Sequence, residues 1–330
     1  MSRISANEPD ILPRKRSATF LNYLSLARFD HVTKQVFIIP GIAFAFLLQN
    51  PHSALPIRNI ALGFLAAICV ASANYVLNEW LDRDFDRFHP GKSKRVAVQY
   101  RLHGGFVIGE WLVFLVLGLC SAAACNTVMF VAAGIFALQG LAYNVPPIRT
   151  KDKPYLDVLS ESINNPLRLL IGWAMVDSTT LPPSSVILAY WFGGAFLMAA
   201  KRLSEYREIV ADYGKQTLAK YRASFAGYTE TSLNVSCFVY GLLSSFALAV
   251  FLIRYRIEYI LVMPLIIFMF GYYLALSMQA GSSAQNPEKL YREGGLILVV
   301  AAVVAVFVFA SLVDLPLLNS LTAQRFISLR

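Results

Sequence analysis

Two rows of oxygen-bearing side chains stand at the ends of apolar runs. The first lies in NYVLNEWLDRDFDRFHPGKSKR, residues 74–95. Asn74, Asn78, Asp82 and Asp86 recur every fourth residue, so a helix stacks them on one face, with Glu79 beside it. Carboxylates on adjacent turns repel unless a cation neutralises them. Mg²⁺ takes oxygen ligands, uses one or two carboxylates and keeps positions for water and phosphate oxygens. An Asn adds a carbonyl oxygen without charge. The spacing therefore suits a Mg²⁺–diphosphate site, with Asn78, Glu79, Asp82 and Asp86 as candidate metal ligands. The next loop supplies Arg87, His89, Lys92, Lys94 and Arg95, of which Arg87, Lys92 and Arg95 are candidate diphosphate contacts. These cations alone would equally be solvated loop residues. The Asn/Asp stripe is not explained that way, because such groups are costly at membrane depth.

The second row lies in YNVPPIRTKDKPYLDVLSESINNPLR, residues 143–168. Pro146 and Pro147 end the preceding helix. Arg149, Lys151 and Lys153 follow in a short loop. Asp157, Glu161, Asn165 and Arg168 then run at spacings of four, four and three along the next apolar segment. Two polar stripes opening to the same face look like walls of one cavity. Asp157 and Glu161 can hold a second Mg²⁺, and two metals bridging a diphosphate neutralise a leaving group. A third region, Lys201-Arg202-Leu203-Ser204-Glu205, has two readings: anion contacts, or ordinary helix-end charge with an i,i+4 pair. Arg28, His31 and Lys34 share that ambiguity.

The elements that must position these rows are membrane helices. Of 330 residues, 57% are hydrophobic and only 15% charged, against roughly 25% charged in a soluble domain. Nine apolar spans are expected, near 33–49, 58–79, 104–124, 126–143, 155–176, 184–202, 231–253, 258–279 and 293–313. The expected fold is all-α, a polytopic bundle of about nine transmembrane helices around a central cavity. Residues 1–24 are expected as a mobile cytoplasmic tail, 25–313 as the transmembrane domain and 314–330 as a C-terminal tail. Of 29 Lys and Arg, only Arg58, Arg254, Arg256, Arg325 and Arg330 fall on one side, leaving 24 on the other. The positive-inside rule puts that other side, with the polar loops 80–103, 144–154, 203–230 and 280–292, in the cytoplasm, the N-terminus included. In a bacterium the host bilayer is the inner membrane. The net charge of +9 is thus topological and ligand-directed; no zinc-finger or helix-turn-helix pattern supports nucleic acid as a partner. The four cysteines form no CxxC pair, and the four histidines no HExxH. No cleaved signal peptide is evident.

With these residues in view, the chain resembles the UbiA superfamily of intramembrane prenyltransferases from about residue 25 to 310. That family's Asn-Asp-x-x-Asp run, continuing to another Asp, is matched by Asn78-Glu79-Trp80-Leu81-Asp82 and Asp86, with Glu79 replacing the usual Asp. Its second motif is matched by Tyr143, Lys151, Asp157 and Glu161, with Glu161 replacing Asp. The resemblance implies Mg²⁺ held by Asp82, Asp86, Asp157 and Glu161, and a diphosphate gripped by Lys92, Arg95, Arg149 and Lys151, with Arg168 and Lys201 as further contacts. It also implies Asp82, Asp157, Tyr143 and Lys151 as catalytic residues, and transfer of a prenyl group from an isoprenoid diphosphate to an aromatic or lipid acceptor. Some details are closer to a subgroup, the polyprenyl-phosphate phosphoribosyltransferases, which use a sugar diphosphate donor. These are Arg28-x-x-His31-x-x-Lys34, the string Asp86-Arg87-Phe88-His89-Pro90 with Lys92 and Arg95, and Lys201-Arg202-x-x-Glu205.

Two other readings compete. A CDP-alcohol phosphotransferase needs a glycine after its second Asp, where this chain has Arg83 after Asp82 and Phe85 after Asp84. An ion-coupled transporter also carries intramembrane carboxylates, but here the acids lie at helix ends beside basic loops.

Overall fold

The computed structural model describes residues 16–49, 56–89, 91–279, 281, 282, 290 and 293–322. Most of the expected tail (1–15), most of the loop 280–292, Pro90, and Arg325 and Arg330 lie outside the described residues.

The described residues are mostly helical. In order come α1 (Phe20–Leu24), α2 (Ile39–Gln49), α3 (Ile57–Asp86), α4 (Val96–Gln99), α5 (Gly104–Ala123), α6 (Thr127–Asn144), α7 (Leu156–Ser162), α8 (Asn164–Val176), α9 (Ser184–Tyr213), α10 (Lys215–Tyr221), α11 (Glu230–Tyr255), α12 (Met263–Ser277), α13 (Gly294–Leu312) and α14 (Pro316–Thr322). Among the described residues, eight helical stretches are long and apolar enough to cross a bilayer. The expected fifth span, 155–176, is not among these eight: it is broken into α7 and α8 at Ile163. Pro166 explains the break: it has no N–H for the Ser162 carbonyl, and its ring would collide with that carbonyl in a continuous helix. Carbonyls freed at the end of α7 are met by side chains. Trp191 Nε1 donates to Leu159 O at 2.9 Å, and Gln139 donates to Ser160 O.

The first span enters through a 3-10 helix, Phe29–Ile38, rather than directly as α-helix. Residues 16–24, expected within the tail, are ordered: Arg16–Ser17 pairs in parallel with Tyr100–Arg101, and α1 follows. Helices pack through small residues, which let backbones approach closely. Ala66, Ala67, Ala71 and Ala73 of α3 are buried. A Cβ on Gly172 of α8 would lie 2.2 Å from the Ile38 carbonyl oxygen of the first span. The outer surface is apolar: Phe246, Leu298 and Leu312 are exposed, and the apolar stretch of α13 is almost wholly unburied. A bilayer is the solvent for such a surface, and the chain is an integral membrane protein.

α3 and α9 each have 30 residues, about 45 Å at ~1.5 Å per residue, against a hydrocarbon layer of ~30 Å. Their C-terminal turns, carrying Asp82–Asp86 and Arg202–Glu205, therefore reach the edge of that layer at one end of the bundle. The end of α6, the start of α7 and the start of α11 converge there.

Candidate active site

The α3 row meets the loop after α6. Asn78 Nδ2 donates to Asn144 Oδ1 at 2.6 Å, and Lys151 Nζ donates to the same oxygen at 2.8 Å. Lys151 also pairs with Asp82. Arg149 donates to Asp82 Oδ1 at 2.9 Å, to Asp152 at 2.7 Å and to the Asn144 carbonyl at 2.9 Å. Its backbone is left-handed, φ 28°, a region costly for a side-chain-bearing residue and held here by three bonds from one guanidinium. One turn on, Asp86 takes Arg95 at 2.5 Å.

The second row joins the same network. Glu161 accepts from the Tyr143 hydroxyl at 2.6 Å and from Arg202 at 3.3 Å. Arg202 also donates to Asp157 at 3.1 Å and Glu205 at 3.1 Å. Arg222 donates to the Tyr143 hydroxyl at 2.5 Å, lies 3.5 Å from Asp157, and acts on Asp82 through its charge. Lys92 stands 3.7 Å from Glu205. The two rows thus share one end of the bundle, with cations interleaved between their carboxylates.

Burial sets the chemistry of the loop cations. It pulls Lys151 down to about 8, opposed by Asp82, and Lys92 down to about 8, opposed by Glu205 and Asp86. It pushes His89 down to about 4, so this imidazole is neutral, and its Nδ1 accepts from the backbone N–H groups of Gly91 and Lys92.

Beside the network lies a pocket of about 500 Å³. Its cations are Arg28, Lys92, Lys94, Arg95 and Lys201, joined by His31 and His89, and its acids are Glu205, Glu208 and Asp212. Segments from the first span, the loop after α3 and the end of α9 are brought together there.

Four expected residues sit apart. Glu79 turns from the row to the N-terminus of α4, with Oε1 3.4 Å from Ala97 N. On α3 Glu79 precedes Asp82 by three residues and Asp86 by seven, on their side of the helix, so it is the contact with α4 and not helix rotation that draws its carboxylate away. Asn74 donates to the Phe136 carbonyl at 3.1 Å and serves packing of α3 on α6. Arg87 is exposed and stacks on Phe88. Arg168 is buried deeper, donating to Gln35 at 3.1 Å and lying over Phe136. Asn144, Arg222 and Ser224 are site residues that the sequence did not single out. Arg222 reaches the site because the polar segment after α9 folds back over it.

The sequence profile of the UbiA prenyltransferase family matches residues 37–292. The chain belongs to this family. A decaprenyl-phosphate phosphoribosyltransferase of Mycolicibacterium smegmatis is 26% identical over 178 residues, 53% of this chain and 52% of that protein. A protoheme IX farnesyltransferase of Bacillus mycoides is 26% identical over 196 residues, 57% of this chain and 54% of that one. The chain thus spans about half the length of these relatives. The fold is that of a UbiA homolog from Archaeoglobus fulgidus whose structure was solved with GPP and Mg²⁺. The TM-score is 0.65 at 23% identity, covering 86% of this chain and 99% of that one.

Proposed function

We propose that this chain is a Mg²⁺-dependent transferase whose donor is a phosphorylated sugar diphosphate, of the phosphoribosyl diphosphate kind, and whose acceptor is a polyprenyl phosphate. The observation that carries the choice of donor is the basic pocket. Arg28, His31, Lys92, Arg95 and Lys201, which sequence links to the phosphoribosyl-transferring subgroup, come from three separate segments and line one cavity. A prenyl donor presents one diphosphate and an apolar tail. A phosphoribosyl donor carries a further phosphate and hydroxyls, which need cations and polar groups beyond the diphosphate site. Of the acids in that pocket, Glu205 is already held by Arg202 and Lys92.

The donor atoms fit Mg²⁺. Asn78, Asp82, Asp86 and Glu161 offer oxygen only, the ligand type this hard cation takes. The side chains of Asp82 and Glu161 keep 17% and 33% exposure, so they remain reachable. Among the described residues no three acidic, His or Cys side chains already form a metal cage; their charge is balanced by Lys151, Arg149 and Arg202. When bound, the metal supplies charge neutralisation of the diphosphate. Lys151 and Arg149 then favour departure of the leaving oxygen as its charge grows. The bond from the sugar's anomeric carbon to that oxygen breaks with its electron pair going to diphosphate. The Tyr143 oxygen faces the positive charge developing on carbon. An anionic phosphate oxygen of the acceptor forms the new bond, and no proton has to be removed from it. The charged end of the bundle faces the cytoplasm on this reading, since the Lys/Arg excess lies there.

The test uses the purified chain in detergent with Mg²⁺, labelled phosphoribosyl diphosphate and decaprenyl phosphate, beside geranyl diphosphate as rival donor. A lipid-linked phosphoribose that is lost with EDTA, restored by Mg²⁺ and absent in Asp82→Ala is expected. Consumption of the prenyl donor alone would overturn the sugar donor; no turnover of any donor by folded protein would overturn the enzyme.

A further inference from the structure

Asp157 stands where the family resemblance implies a metal ligand, but its surroundings fit another task. Its side chain is 0% exposed. Oδ1 accepts from the Tyr228 hydroxyl at 2.6 Å. Oδ2 accepts from Arg202 Nε at 3.1 Å and Ser224 Oγ at 3.1 Å, and Arg222 Nε lies 3.5 Å away. A carboxylate offers about four lone-pair sites; three donors bond this one and a guanidinium N–H stands close by as a fourth. A Mg²⁺ ion demands approach to ~2.0–2.1 Å in near-octahedral geometry, which this crowding obstructs. Asp82 and Glu161 are open by comparison.

Three of those donors come from one stretch, residues 222–228, between α10 and α11. The same stretch is seated by apolar packing: Phe225 and Tyr228 are buried with Leu218 and Tyr221 against α9. Tyr221 packs edge-on against His89 at 4.6 Å and under Lys92. The Tyr228 hydroxyl, donating to Asp157, also accepts from the Tyr155 backbone N–H at 2.6 Å. Tyr155 has φ 65°, so this bond fixes an unfavourable backbone at the start of α7. The segment is therefore a cap over the charged end, and its side-chain attachments to α7 meet at one carboxylate, with the Tyr155 N–H bond to Tyr228 beside it.

We propose that Asp157 is a positioning residue rather than a metal ligand: it latches the 222–228 cap onto α7 and so aims Arg222 at Tyr143 and Arg202 at Glu161. The metal half of this statement rests on the function proposed above; the latch half does not.

The experiment compares full-length Asp157→Asn with Glu161→Gln. Hydrogen exchange is read first, without metal or substrate, on the amides of 222–228, because it reports local opening. An Asn puts an N–H₂ against Arg202, where a charge-assisted bond is lost, and Ser224 must turn from donor to acceptor, so exchange there is expected to rise about tenfold or more. Glu161→Gln should leave it within about twofold of wild type. The Mg²⁺ concentration for half-maximal activity is read second: about tenfold higher in Glu161→Gln, unchanged in Asp157→Asn despite a fallen kcat. Should Asp157→Asn fail to fold, the double variant Ser224→Ala/Tyr228→Phe removes two latch bonds with Asp157 intact and should open the cap in the same way. A cap as protected as wild type in either variant overturns the latch. A raised Mg²⁺ requirement in Asp157→Asn with a closed cap makes Asp157 a ligand. If no donor is turned over, the function fails while the exchange measurement still decides the latch.

Discussion

Replacing Arg202 by Met should destabilise the protein by about 3 kcal/mol and abolish turnover. The guanidinium is 2% exposed and lies within 3.3 Å of Asp157, Glu161 and Glu205. Removing one partner of a buried ion pair costs roughly 3–5 kcal/mol, because the other charge is left uncompensated. Not all three carboxylates are stranded. Glu205 keeps Lys92 at 3.7 Å and Asp157 keeps Arg222 at 3.5 Å. Glu161 keeps the neutral Tyr143 hydroxyl at 2.6 Å and, without direct contact, the charge of Arg222. Partial exposure of Glu161 discounts that one charge, so the low end of the range applies. At ~2 °C per kcal/mol for a chain of this size, the melting midpoint in detergent should fall by about 6 °C. Arg202→Lys keeps the charge but cannot span three acceptors with a planar fork, and should lose about half as much. Adding Glu161→Gln to Arg202→Met should return part of the loss, since the stranded charge is gone. A melting point unchanged in Arg202→Met, or no recovery in the double variant, would refute the claim that this guanidinium balances the second row.

Two further outcomes follow from the same geometry. Lys92, held near 8 by burial, is a cation below that pH and loses its proton above it; donor KM should therefore rise as pH passes about 8, and Lys92→Arg should push that limb to higher pH in steady-state assays. Gly172→Val places a Cβ 2.2 Å from the Ile38 backbone oxygen, which cannot move aside like a side chain, and should cost on the order of 2 kcal/mol in thermal melts; an unaltered midpoint would contradict the close crossing of α8 on the first span.

The spans were legible because apolar runs near 20 residues have one inexpensive environment, and the α3 row was legible because a four-residue spacing fixes a helix face. The broken fifth span had its signal in Pro166, which a hydropathy reading passes over. Glu79 was grouped with the row by its place in the motif, and its carboxylate bonds instead at the N-terminus of α4, a tertiary contact that spacing does not reveal. Arg87 and Arg168 were counted as phosphate contacts on charge alone, whereas one turns outward onto Phe88 and the other lies deep against Gln35. Arg222 and Ser224 carried no local pattern, because their place depends on how the segment after α9 docks, a tertiary event with no period to read.

The central claim is that the α3 row and the α7 row grip one diphosphate. A double-mutant cycle tests it directly, using calorimetric affinity for inorganic diphosphate with Mg²⁺ in wild type, Asp82→Asn, Glu161→Gln and the double variant. A shared ligand predicts a coupling energy of about 1 kcal/mol or more, within the ~0.5–3 kcal/mol range for residues that act on a common partner. Losses that add to within about 0.3 kcal/mol would mean the two rows act independently, and would contradict the account.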